Sequence, residues 1–155
     1  NAERTARLIL QQAEQSSLRV MQGWGNYLLG FVNYECNDLE KAARYFEQVV
    51  DLFYLTQLAV ARNGMIGQAW TCLAMGRPVE ALKIIDQLSE LDLEGHGYEQ
   101  VDTISARARL LLMGGNANAA EYWVHQEMYQ QPDQSLLIWM GQPPLTQVRI
   151  LLDRN

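Results

Sequence analysis

The amino-acid sequence predicts an all-α fold built from helix hairpins, because one pattern recurs at a fixed spacing. Three ten-residue stretches resemble one another: each begins with a turn-forming residue, reaches an alanine five positions later and continues apolar. The alanines are Ala42, Ala81 and Ala120, and both intervals, 81 − 42 and 120 − 81, are 39 residues. A fixed period of this size is typical of stacked helical repeats. Sustained apolar-polar alternation, the pattern of β-strands, is missing.

Each repeat is predicted to open with a long helix that ends at one kind of turn. Asn37, Gly76 and Gly115 begin the three recurring stretches, "NDLEKAARYF", "GRPVEALKII" and "GNANAAEYWV". Glycine and asparagine tolerate the left-handed conformation that closes the last turn of a helix. We therefore expect the first helices at 17–36, 57–75 and 98–114.

A second helix is predicted to start directly after each turn. Asn37 with Glu40 three positions later resembles a capping box, Pro78 suits a first helical turn, and Asn116 can cap. We expect these second helices at 39–54, 78–90 and 117–130.

The predicted hairpins span 17–54, 57–90 and 98–130 within a single helical-repeat domain over residues 3–155. Residues 3–14 would finish an earlier repeat, and 143–155, helical over 143–153, would begin a later one. Residues 1–2 resemble the remnant of a cleaved tag, and the apolar pattern that continues into "VRILLDRN" indicates a fragment of a longer protein.

Small residues on the first helices indicate how the two helices of a hairpin meet. Gly30, Ala69 and Ala108 each lie twelve positions before a repeated alanine. Small side chains at facing positions let two helix axes approach closely, as in tetratricopeptide-like hairpins. The 39-residue period falls between the ~34 residues of tetratricopeptide units and the ~40–47 of armadillo or HEAT units. The expected fold is an α-solenoid, a tetratricopeptide-like stack of antiparallel hairpins with longer helices.

Composition and charge exclude several classes of function. The 155 residues are 48% hydrophobic and 19% charged, as in a folded domain, and the net charge is −6 with scattered Lys and Arg. No cationic face is therefore expected to bind nucleic acid. No apolar run reaches the ~18 residues of a membrane span. Two cysteines suit neither a disulfide framework nor a zinc site, which favours a reducing cytoplasm. No metal and no cofactor is expected.

Four segments in order resemble the helical-repeat region of bacterial MalT-type regulators of the LuxR family. They are "YECNDLEKAARYFEQVV" (34–50), "ARNGMIGQAWTCLAMGRPVEAL" (61–82), "ARARLLLMGGNANAAEYW" (106–123) and "PPLTQVRILL" (143–152). The resemblance implies a nucleotide-binding domain before the repeats, a helix-turn-helix domain after them, and a sensor role for the repeats themselves. The implied partners are a small-molecule inducer or a protein or peptide, the flanking domains of the same chain, and a second copy of the full-length protein.

A stripe of aromatic residues marks the first long helix. Trp24, Tyr27, Phe31 and Tyr34 lie three or four positions apart, and so share one side of a helix. Stepping this stripe forward by 39 gives Asn63, Ile66, Trp70 and Leu73; a second step gives Asp102, Ser105, Arg109 and Leu112. The column thus changes from aromatic to polar along the chain.

Two interpretations of this column stay open. A core column should remain apolar, because an unpaired buried charge costs several kcal/mol, so the change favours a ligand-binding groove on the concave face. In that groove Tyr27, Phe31 and Trp70 would stack on the ligand, and Asn63, Asp102 and Arg109 would hydrogen-bond to it. The alternative is that the stripe is core packing, the usual role of aromatic residues at helical spacing.

The remaining candidates are expected to be structural. Cys36 and Cys72 read as small buried apolar residues, and His96 and His125 lack metal-ligand spacing. The carboxylates Glu94, Glu99 and Asp102 surround a loop expected to be solvated rather than an enclosed catalytic pocket. Spacing groups no nucleophile with a base, so we do not expect an enzyme. Besides the regulator segment, a free-standing tetratricopeptide-like adaptor that binds a protein or peptide stays open.

We predict that this chain does not bind duplex DNA specifically. Its acidic balance offers few cations to displace the counterions of the phosphate backbone, so the affinity should be poor even at low salt. Anisotropy titration with labelled duplexes of different sequence measures this. Tight, sequence-dependent binding would contradict the prediction.

Overall fold

The computed structural model describes residues 2–127, 140–141 and 143–153, and every regular element in that part of the chain is an α-helix. The all-α prediction is confirmed for these residues. The chain divides into two compact units, Asn1–Arg77 and Pro78–Asn155, which are described separately below. The boundary falls inside the predicted hairpin at 57–90, and the single-domain organisation stays a prediction.

Within its described residues, each unit contains four helices. Unit 1 holds α1 (Ala2–Gln15), α2 (Arg19–Glu35), α3 (Leu39–Asp51) and α4 (Leu58–Ala74). Unit 2 holds α5 (Pro78–His96), α6 (Val101–Met113), α7 (Ala117–Glu127) and α8 (Pro143–Asp153). The helices occur in the predicted order, but several bounds differ, among them the start of α6 at Val101 rather than at residue 98. A hydrogen-bonded turn over residues 52–56 ends α3 three residues early, and α5 runs beyond residue 90 until Gly97, whose φ is 77°.

The predicted turns at Asn37, Gly76 and Gly115 share one geometry. These residues have φ of 58°, 75° and 81°. In each turn the left-handed residue donates its N–H to the carbonyl three positions back, and the next residue donates to the carbonyl five positions back, all within 2.8–2.9 Å. This pair of bonds is the Schellman motif, which satisfies carbonyls left open at a helix end. In each case the next helix begins two residues after the left-handed residue.

The structure adds one turn of this kind and moves one cap. Ser17, with φ of 54°, closes α1 through the same pair of bonds, so the predicted helix at 17–36 begins instead at Arg19. The cap of α3 is Asp38 rather than Asn37, because Asn37 already serves as the left-handed residue. Asp38 accepts the Lys41 N–H at 3.4 Å. The Lys41 ammonium also binds this carboxylate, and its hydrogen bond lowers the pKa of Asp38.

The other two predicted helix starts are confirmed. Pro78 is the first residue of α5, where its missing N–H costs no helical hydrogen bond. Asn116 caps α7, because its side-chain oxygen accepts the Ala119 N–H at 3.2 Å.

The core of unit 1 is built around the ring of Phe46 on α3. A methyl group on Gly30 of α2 would lie 2.8 Å from this ring, and one on Gly67 of α4 would lie 2.5 Å from it. Both helices therefore need glycine where they meet Phe46. On the same side of α3, Val49 lies against Gly64 of α4 in the same way, at 2.5 Å.

The sequence correctly identified Gly30 as a close approach but did not identify what approaches it. The residue found against Gly30 is Phe46, rather than the Ala42 suggested by the twelve-residue spacing. Ala42 is itself fully buried, as are Ala81 and Ala120. In unit 2, Ala108 and Ala120 share one apolar cluster with Ile150 of α8, against which Leu111, Leu112 and Trp123 pack.

In both units a helix lies across the hairpin that precedes it. In unit 1 α4 contacts α2 and α3, and in unit 2 α8 contacts α6 and α7. The second contact includes a buried hydrogen bond of 2.9 Å between the hydroxyls of Ser105 on α6 and Thr146 on α8. The stacked arrangement and its 39-residue period stay predictions.

A buried carboxylate joins α5 to α6. Asp92 of α5 is 1% exposed. It accepts the Gln100 N–H at 2.9 Å and the Thr103 hydroxyl at 2.6 Å. Gln100 is the cap residue of α6 and makes no side-chain capping bond of its own. Asp92 thus satisfies donors at the start of α6 that would otherwise be buried without a partner.

We predict that Gly67→Ala lowers the free energy of unfolding by about 1–3 kcal/mol, because the added methyl overpacks the ring of Phe46. The matched control is Gly95→Ala on α5, where a methyl would meet nothing within 4 Å. It should be neutral or stabilise by up to about 1 kcal/mol through helix propensity. Urea denaturation followed by circular dichroism measures both. Equal effects of the two substitutions would contradict the packing argument.

Candidate functional site

Four of the six predicted ligand-binding residues belong to unit 1, and three of them are buried. Tyr27, Asn63 and Trp70 are 0%, 1% and 2% exposed, whereas Phe31 is half-buried. Tyr27 and Phe31 lie one turn apart on α2, Asn63 and Trp70 lie two turns apart on α4, and the two helices contact each other. A side chain without exposed surface cannot stack on a ligand in this conformation.

The Tyr27 ring belongs to the core of unit 1. Its centroid lies 6.1 Å from that of Phe46 and 6.4 Å from that of Trp24, which it meets edge-on. These are the distances of packed aromatic pairs. The Trp24 indole N–H donates to the Gln57 side chain at 3.2 Å, which links α2 to the start of α4. For Tyr27 the structure therefore favours the core-packing alternative over the groove.

Asn63 is held by its own helix. Its amide nitrogen donates to the carbonyl of Ala59 at 3.1 Å. The pattern repeats on α2, where the buried Asn33 donates to the Leu29 carbonyl at 2.7 Å. Such bonds to a carbonyl one turn back satisfy a buried amide without a ligand.

Asp102 and Arg109 belong to unit 2 and keep part of their surface. Both lie on α6, seven residues apart, and both are half-buried. A spacing of seven places the two side chains on one face of the helix, two turns apart. They are thus the polar members of the predicted set that retain access to solvent. Ligand binding by any of the six residues stays a prediction.

An arginine that sequence reasoning missed connects the helices of unit 2. Arg107 of α6 binds Asp86 of α5 through one guanidinium nitrogen and lies 3.4 Å from Glu99 through the other. Its guanidinium also lies 5.2 Å from the ring centroid of Trp123 on α7, a cation–π distance. The Arg107 Nε is buried without a hydrogen-bond partner. No shared spacing links these four residues in the sequence, so no pattern could have found them.

The Arg107 contacts also involve one of the three carboxylates that were expected to surround a solvated loop. Glu99 pairs with Arg107, and Glu94 is exposed on α5. A planar guanidinium presents donors in several directions, which suits a residue that binds two carboxylates and an aromatic face at once. The arrangement holds three elements of unit 2 together, and its charges are used in that contact.

The structure places one of the two cysteines in the core and the other at the surface. Cys72 is buried as predicted, but Cys36 is exposed, because it follows the last residue of α2 at the surface turn. His96 is the last residue of α5, and its ring lies beside that of Tyr98. The side chain of His125 lies outside the described residues. Among the residues that are described, no three His, Cys, Asp or Glu side chains form a group that could hold a metal ion.

Two general findings bear on function. None of the helices in the described part of the chain combines the length and the apolar character needed to cross a bilayer. No protein-family model, no curated protein and no solved structure matches the chain. The resemblance to MalT-type regulators therefore rests on the four sequence segments given above.

We predict that Trp70→Ala lowers the free energy of unfolding by about 3–5 kcal/mol, as truncation of a buried aromatic side chain does. The matched control is Tyr54→Ala in the same unit, where the side chain is 85% exposed. It should change stability by less than about 0.5 kcal/mol. Urea denaturation measures both. A Trp70→Ala chain as stable as the wild type would favour the groove interpretation instead.

Proposed function

We propose that the chain is a tetratricopeptide-like helical-repeat segment that receives a regulatory signal in a transcription regulator of the MalT type. The observation that carries the proposal is the recurrence of one turn: left-handed residues at 37, 76 and 115, each followed two residues later by a new helix. Both intervals, 76 − 37 and 115 − 76, are 39 residues. The turn at Ser17 has the same geometry but lies outside this series, between α1 and α2. The three turns at a constant interval support equivalent hairpins, the unit of a solenoid.

The packing within each unit also supports repeat architecture. In a solenoid each repeat contacts only its neighbours, so a hairpin is covered by a helix that follows it in the chain. This is the relation of α4 to α2 and α3, and of α8 to α6 and α7. Such stacks present an extended surface that suits ligands, peptides and other domains.

The sensor role rests on the sequence resemblance and on the polar face of α6. Arg109 carries a fixed charge and five donors that can bind a carboxylate or sugar hydroxyls, and Asp102 on the same face can accept hydroxyl hydrogens. Both are half-buried, which is typical of residues that line a ligand site. We propose that they bind the inducer, and that cytoplasmic flanking domains bind nucleotide and DNA.

The free-standing adaptor is the second candidate. It is favoured by a distinct observation, an apolar edge of unit 1. Exposed apolar side chains of α1, of the starts of α2 and α4 and of the turn after α3, such as Leu8, Leu18 and Leu55, form this edge. It suits a protein partner better than a polar inducer. In this role the chain would bind a protein or peptide without a nucleotide-dependent response.

A ligand panel measured by thermal shift tests the sensor proposal. The panel contains linear oligosaccharides, nucleotides and short carboxylates, and a compound that binds should raise Tm with concentration.

We predict that Arg109→Ala weakens the binding of such a compound at least about tenfold, or ~1.4 kcal/mol. The matched control Arg149→Ala, an exposed arginine on α8 of the same unit, should leave its affinity unchanged. A response that survives Arg109→Ala, or a panel in which no compound raises Tm, would contradict the sensor proposal and leave the adaptor.

A further inference from the structure

An open apolar groove lies between α1 and the start of α2 in unit 1. It has a volume of about 320 Å³. Two of its side chains, Leu8 and Leu18, are 51% and 55% exposed. The lining residues are Leu8, Ile9, Gln12, Ala13, Ser16, Leu18 and Met21. Aliphatic side chains in an open groove lose the stabilisation of burial, about 25 cal/mol per Å², until something covers them.

The groove belongs to an apolar edge of unit 1. The Thr56 hydroxyl donates to the carbonyl of Val20 at 3.3 Å, which holds the turn after α3 against the start of α2. The exposed large apolar side chains that unit 1 shows in its described residues all lie in α1, at the start of α2, in this turn or at the start of α4. They are Leu8, Leu18, Val20, Met21, Tyr54, Leu55 and Leu58. Concentration on one edge is typical of an interaction site.

Basic residues border the groove. Arg4 lies one turn before Leu8 on the same face of α1. Arg19 follows Leu18, and its guanidinium donates to the Gln22 side chain at 3.0 Å. The Gln22 amide in turn donates at 3.3 Å to the carbonyl of the groove residue Ala13. These contacts hold the Arg19 charge at the edge of the groove.

The carboxylates of α1 lie on its other side. Glu3 binds Arg7 one turn later at 2.6 Å. On a helical projection of about 100° per residue, both positions lie on the side of α1 opposite the groove residues Gln12 and Ser16. Glu14 lies on the same side of α1, within about 20° of the midpoint between Glu3 and Arg7 on the same projection. The groove therefore has a basic border within a chain whose net charge is −6.

We propose that this groove docks one amphipathic α-helix of a partner protein, whose flanks are acidic. Leu8 and Ser16 are eight residues apart, about 12 Å along α1. This length matches two turns of a bound helix, with apolar anchors at i, i+3 or i+4, and i+7. Carboxylates beside these anchors would meet Arg4 and Arg19.

The experiment uses the whole chain and two synthetic peptides. Both are labelled helices of about 14 residues with the same leucine spacing; one carries glutamates beside the leucines and the other lysines. Fluorescence anisotropy should show binding of the glutamate peptide at least about tenfold tighter than that of the lysine peptide, with a preference that weakens as salt increases. Equal affinities for the two peptides would overturn the proposal.

Two variants and a control locate the binding. Leu18→Glu should weaken binding of the glutamate peptide at least about tenfold. Leu152→Glu, at a comparably exposed leucine of unit 2, should leave that affinity unchanged. The double variant Arg4→Glu with Arg19→Glu should reverse the preference so that the lysine peptide binds tighter. Circular dichroism checks the helix content of each. A charge-reversed chain that keeps its preference for glutamate would overturn the proposal even if Leu18→Glu fails to fold.

Two further measurements separate the other occupants. Light scattering that shows a dimer, lost in Leu18→Glu, would assign the groove to a second copy. Cosedimentation with phosphatidylglycerol vesicles, lost in the same variant while neither peptide binds, would assign it to a lipid surface. Both results would overturn the proposal. It is independent of the inducer site, since Arg109→Ala in unit 2 should leave peptide affinity unchanged.

Discussion

Unit 1 depends on the ring of Phe46, which meets the backbone of α2 at Gly30 and of α4 at Gly67. A side chain at either glycine would lie within 3 Å of the ring, so the three helices can pack at this distance only because both positions lack one. The Tyr27 ring packs on the same phenylalanine. One aromatic side chain thus sets the separation of three helices, and a dense interior leaves little room for adjustment.

The same close packing decides which residues can serve recognition. Tyr27 is enclosed because α2 lies against Phe46, so an aromatic residue that would suit a ligand platform becomes part of the core. In unit 2 charged side chains connect the helices. Asp92 accepts hydrogen bonds from donors at the start of α6, and Arg107 of α6 contacts side chains of α5 and α7. A buried carboxylate such as Asp92 is stable only when it is hydrogen-bonded, which fixes the position of the helix that supplies the donors.

Recognition is then left to surfaces that the core does not use. In unit 1 these are concentrated at one edge, where the groove between α1 and α2 combines aliphatic side chains with a basic border. In unit 2 the polar face of α6 keeps partial access to solvent. The two surfaces differ in chemistry: the first suits an apolar helix with acidic flanks, and the second suits a small polar ligand. The two binding functions proposed for this chain would therefore use separate sets of residues.

The sequence by itself determined the helices, their order and the turns at Asn37, Gly76 and Gly115. A left-handed helix end depends only on the residues at that position, and the spacing of apolar residues depends on which of them share one face of a helix. It missed the turn at Ser17 and displaced the cap at Asp38 by one residue, since serine and adjacent Asn-Asp residues give ambiguous local signals. Only the tertiary structure decided that Tyr27 is buried, because periodicity shows which residues share a face but not what covers that face. It also decided the contacts of Asp92 and Arg107, whose farthest partners, Thr103 and Asp86, stand 11 and 21 residues away with no period to reveal them.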